Sequence, residues 1–168
     1  MSLDPEEPYS VAKGYVQSAY AMMTNPHRLQ LPDDRTFFMA FHMLCGFAVE
    51  LYLKAFLAHK GFTDAQLRHP HIRHDLMRLR DQCRSEGLYD TGADMLVDLL
   101  ASKHKSFELR YMKKASEYQT IDLRAIFSAF SSLNRAVDTA IGASAARGRS
   151  AVGWWKFPSD GQWRFPLE

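Results

Sequence analysis

One stretch of this chain, from about residue 35 to residue 59, is apolar almost all the way round a helix, and it limits what the whole can fold into. Phe37 to Val49 is its longest apolar run, 13 residues broken by His42 and followed at once by Glu50 and Lys54. A membrane-spanning helix needs about 20 consecutive apolar residues. The run is therefore predicted to be the central helix of a bundle, covered by neighbours on all sides.

Punctuation along the rest of the chain supplies those neighbours. Pro8 suits a first helical turn, and Tyr9, Ala12, Tyr15, Val16, Ala19, Met22 and Met23 recur at three- and four-residue steps up to Asn25-Pro26. Pro32, Asp33 and Asp34 provide a cap and favourable charge for the central helix, which Gly61 stops. A third helix is expected from near His74-Asp75, with Leu76, Leu79 and Cys83 on one face before Gly87. A fourth is expected from Ala93 to about Lys105. A fifth, after Thr120, carries Leu123, Ile126, Phe127, Phe130, Leu133, Val137 and Ile141. The expected fold is all-α, an antiparallel bundle of about five helices over residues 1–142.

Residues 143–168 read as a linker and an aromatic C-terminal arm. From Gly142 to Gly153 the chain is small and polar. It then becomes Trp154-Trp155-Lys156-Phe157-Pro158-Ser159-Asp160-Gly161-Gln162-Trp163-Arg164-Phe165, two aromatic runs flanking an Asp-Gly turn. The arm either covers its own bundle, as a hairpin or extended segment, or docks on another subunit.

Composition excludes several classes of protein. Apolar residues make up 46% and charged residues 24% of 168, far from the signature of disorder. The net charge of +2 is too small to imply a nucleic acid or membrane partner by itself, so local patches must carry such a role. Cys45 and Cys83 fall within apolar helical patterns, as buried free thiols do in a reducing compartment. The opening MSLDPEEPYS has no basic region followed by an apolar run, so no secretory leader is expected and the expected location is cytoplasmic.

Polar residues inside the apolar helix are the first candidates for chemistry. His42, Gly46, Glu50 and Lys54 are spaced four apart and advance by about 40° per step, with Arg35 on the same side, so they form one slanting stripe. Glu50 is costly to bury alone, and Lys54 sits at the favourable i+4 position, so the two are expected to form a structural ion pair. The same stripe could instead be the polar wall of a cleft, where Arg35, His42 and Lys54 meet a phosphate. Arg73, Arg80 and Arg84 share one face of the third helix, which is either a solvated face or a phosphate-engaging one. The run Arg68-His69-Pro70-His71-Ile72-Arg73-His74 has no cysteine or carboxylate pair beside it and fits no zinc spacing, so no metal is predicted. No cofactor is implied.

Several of these residues together resemble a known family. Gly46-Phe47-Ala48-Val49-Glu50-Leu51-Tyr52-Leu53-Lys54-Ala55-Phe56-Leu57, then Gly61, then His74-Asp75-Leu76, and Arg110-Tyr111 before the last long helix are similar to the HEPN (higher eukaryotes and prokaryotes nucleotide-binding) family over about residues 35–140. The resemblance implies a helical bundle, frequent homodimers, and RNA or nucleotide binding beside a nucleotidyltransferase partner in toxin-antitoxin or defence systems. Catalytic members are metal-independent ribonucleases with an arginine, four to six intervening residues, and then a histidine. Here the spacing occurs at Arg35 and His42 and at Arg68 and His74. Arg110 is followed at that distance by Ala115, Ser116 and Glu117. The resemblance thus implies a non-catalytic module presenting Lys54, Arg73, Arg80, Arg84, Arg110 and Tyr111 to a nucleotide, RNA or partner protein. The alternatives are a ribonuclease, or an assembly protein acting through its C-terminal arm.

Overall fold

A computed structural model describes residues 3–25, 34–106 and 122–156, with the backbone alone for residues 34–38. Among these residues there are six α-helices and no strand. They are α1 (Glu6–Thr24), α2 (Asp34–His59), α3 (Asp64–Leu67), α4 (Leu76–Ser85), α5 (Thr91–Lys105) and α6 (Leu123–Ile141). The bundle is all-α as expected. The additional helix is α3, a single turn within the segment read as loop, held by a reciprocal cap between Thr63 and Gln66.

α2 is the central element. α1 lies along it most extensively, and α4, α5 and α6 close the remaining sides. Phe41, Cys45, Ala48, Val49, Tyr52, Leu53, Phe56 and Leu57 are all buried, and no side chain from Met39 to Ala58 is exposed, which requires neighbours round the whole circumference. Met39–His59 is long and apolar enough to cross a membrane by length and composition, yet 67% of it is buried within the bundle. Its apolarity is matched by the helices packed on it.

Helix boundaries follow local chemistry. Asp75 caps α4 through the Arg78 amide, so the helix begins at Leu76, slightly later than the His74-Asp75 start expected. Asp90 caps α5 through the Ala93 amide, and Asp122 caps α6 through the Arg124 amide. α2 ends where Gly61 takes φ +92°, a left-handed conformation that costs glycine little.

The segment after α6 is not a free linker. Ala145–Arg147 forms a 3-10 turn, and Arg147 pairs with Glu6 at the start of α1. Asn134 donates to the Val152 carbonyl, and Ser131 bonds both the amide and the carbonyl of Trp155. Trp155 is 4% exposed and its indole N–H donates to Gln17 of α1. This start of the C-terminal arm covers its own bundle, while Trp154 stays half-exposed under Lys13. The expected hairpin around Asp160-Gly161 lies outside the described residues.

A buried polar chain ties these parts together. Tyr9 of α1 donates to Asp138 of α6, which also accepts from the backbone and hydroxyl of Ser144. Tyr52 of α2 donates to Asn134 of α6. Each buried polar group so paired avoids a desolvation cost of about 1–3 kcal/mol.

Candidate site around Glu50

α2 carries Glu50 into the interior, where the carboxylate is 4% exposed. Its two oxygens have different partners. Oε1 accepts from Lys54 Nζ at 2.6 Å, one turn along the same helix. Oε2 faces two imidazoles, His104 Nε2 at 2.7 Å and His74 Nδ1 at 3.1 Å. Burial by itself would raise the Glu50 pKa. The hydrogen bonds from His104, Lys54 and His74 reverse that and hold it well below the usual carboxylate range. An ionised carboxylate only accepts, so the ring nitrogens turned to Oε2 are its donors.

Three separate segments build this cluster. His104 comes from the last turn of α5 and is buried, edge-on to Phe47 of α2. His74 comes from the turn just before α4 and is 28% exposed. Gly46 makes the approach of α5 possible, since a Cβ there would sit 2.5 Å from His104 Nδ1. Glu50, His74 and His104 each offer a donor atom, and the three atoms lie within 4.8 Å of one another. The expectation of no metal rested on the local 68–74 run. Folding instead assembles a possible donor set from residues 24 and 54 positions away from Glu50.

His74 also lines an open cleft of about 360 Å³ together with Pro70, His71, Arg73, Asp75, Arg78 and Lys105. Among the described lining residues Asp75 is the one carboxylate, accepting from Lys105 at 2.8 Å and lying 3.4 Å from Arg78. Its burial would raise its pKa, but the Lys105 bond, the Arg78 amide and these two charges keep it lowered and ionised. Three fixed cations therefore face one carboxylate. Arg73 is exposed at the rim.

The other predicted residues are dispersed. Lys54 is committed to Glu50 as the expected ion pair, and its side chain is only 12% exposed. Arg80 is bound by Asp81 and Asp98, and Arg84 by Asp94, so two of the three aligned arginines fasten α4 to α5 and only Arg73 reaches the cleft. His42 is 3% exposed and sealed beside Phe41, not on an open wall. Arg68 turns to Asp64 and is absent from the cleft lining. The side chain of Arg35, and Arg110 and Tyr111 altogether, lie outside the described residues.

His104 is the residue that sequence reasoning missed. A signal existed: Ala93, Val97, Leu100, Ala101 and His104 occupy one buried face of α5, so the histidine continues the apolar stripe into a polar end, Ser102-Lys103-His104-Lys105. Comparison of the chain with protein-family models, with curated proteins and with solved structures finds no match in any of the three.

Proposed function

We propose that this chain is a HEPN-like, non-catalytic helical module that binds a phosphate-bearing ligand, a nucleotide or RNA, in the cleft between the 70–78 segment and the end of α5. The observation that carries this reading is the charge of the cleft: among the described residues that line it, Arg73, Arg78 and Lys105 face one carboxylate, Asp75, with His71 and His74 beside them. Guanidinium groups suit phosphate oxygens because they offer paired donors and a charge fixed at any physiological pH. The sequence resemblance favours the same ligand class, and adds a homodimer with a nucleotidyltransferase partner in a toxin-antitoxin or defence setting.

The ribonuclease alternative has less behind it. Of the two arginine–histidine spacings, one has its histidine buried in the core and the other has its arginine turned to Asp64.

Titration with ATP and with a short single-stranded RNA at low ionic strength tests the proposal. Binding should weaken steeply with added salt. Arg73→Glu combined with Arg78→Glu should weaken it at least tenfold, while Arg135→Glu, exposed on α6 and outside the cleft lining, should leave it unchanged. Absence of salt-sensitive binding, or binding lost only with Arg135→Glu, would overturn it.

A further inference from the structure

We infer that Glu50, His74 and His104 form a binding site for a divalent transition-metal ion of the zinc class. The site adjoins the cleft but does not depend on the ligand proposed for it. Two imidazoles and one carboxylate are a donor set that zinc accepts, with metal–ligand distances of about 2.0–2.2 Å and a fourth position left open. At those bond lengths, neighbouring donors of a tetrahedral site stand about 3.3 Å apart. Glu50 Oε2 already lies 2.7 Å from His104 Nε2 and 3.1 Å from His74 Nδ1. Against that spacing the first pair opens by about 0.6 Å and the second by about 0.2 Å, while the two histidine nitrogens lie within 4.8 Å of each other.

The surroundings fit such an ion in three ways. Lys54 holds Oε1 and leaves Oε2 to the two histidines, so Glu50 would bind through one oxygen with its other oxygen hydrogen-bonded, a common arrangement for ligating carboxylates. His104 is seated close on α2, where a Cβ at position 46 would stand 2.5 Å from its Nδ1. His74 is the adaptable member: it is 28% exposed and opens on the cleft, which gives a cation its way in and leaves room for a water in the fourth position. Binding would replace two N–H···O bonds, with the proton on each metal-facing nitrogen moving to the other ring nitrogen or to solvent.

The test uses the full chain freed of metal with a chelator, then titrated with Co²⁺ and with Zn²⁺ alone. One equivalent of Co²⁺ should give the visible absorption of a four-coordinate ion, and Zn²⁺ should displace it. Zn²⁺ should also raise the thermal midpoint. His74→Ala should weaken binding at least tenfold. His59→Ala with His69→Ala, which removes two exposed imidazoles outside the cleft lining, should not. His74→Cys should keep the site and add an intense thiolate-to-cobalt band, a signature that a merely structural role for position 74 would not give. Absence of stoichiometric binding, binding that disappears with the surface pair instead of His74, or a His74→Cys protein without the thiolate band would overturn the assignment.

Discussion

Replacing Gly46 with alanine should destabilise the protein, although alanine is the better helix former by about 1 kcal/mol. The new Cβ would lie 2.5 Å from His104 Nδ1 and 3.2 Å from its Cγ. The ring cannot yield without loosening its 2.7 Å bond to Glu50. Overpacking of this kind costs about 1–3 kcal/mol, which exceeds the propensity gain. A lowered thermal midpoint for Gly46→Ala is the expected result, and a raised one would mean that the α2–α5 approach is not constrained there. The same residue scale explains how Glu50 is tolerated inside the core. A carboxylate in such surroundings is stable only with its charge matched and its lone pairs engaged, and Lys54, His74 and His104 do both.

At the scale of elements, charge sorts the helices while apolar surface holds them. Arg80 and Arg84 bridge α4 to α5, yet such pairs at the surface contribute only about 0–1 kcal/mol each. The burial of Leu76, Leu79 and Cys83 where α4 packs on α2 and α5 is the larger contribution of α4. Residues 151–156 act in the same manner. They follow α6 without regular structure, yet Trp155 fills a site between α1 and α6 and bonds to Gln17 and Ser131. Trp155→Ala should cost about 3 kcal/mol, seen as a lower urea midpoint with little change in slope. A loss under about 1 kcal/mol would show that this segment is not part of the core.

At the scale of the whole molecule, Asp138 joins α1, α6 and the turn that follows α6. Burial would raise its pKa, but hydrogen bonds from the side chain and backbone of Ser144 and from Tyr9, with Lys13 nearby, lower it. A carboxyl with a folded-state value below its unfolded one stabilises fully above the unfolded value of about 3.9, and loses that contribution as pH falls through the folded value. Stability should therefore decline on acidification below about pH 4. Asp138→Asn should be less stable at neutral pH and should show a shallower acid decline. Chemical denaturation across that pH range checks both, and an unchanged slope would remove Asp138 from the account.

Much of this architecture was legible in the sequence. The near-continuous apolarity of α2 demanded a covered central helix, and period-3.6 stripes marked α1, α4, α5 and α6. The Glu50–Lys54 pair followed from i+4 spacing, because a helix brings such residues together whatever surrounds it. What was not legible depended on which helices become neighbours. The stripe of three arginines looked uniform along the chain, but α5 supplies aspartates to Arg80 and Arg84 and leaves Arg73 to the cleft. The Asp160-Gly161 hairpin falls beyond the described residues, whereas the burial of Trp155 on its own bundle became visible only once α1 and α6 were placed together. His104 meets Glu50 across 54 positions, and no local periodicity encodes that distance. Sequence alone determined the five longer helices and their inward faces, since backbone geometry and apolar burial act over a few residues. Tertiary structure decided the cluster around Glu50, since only packing sets which polar groups on different helices come within bonding distance.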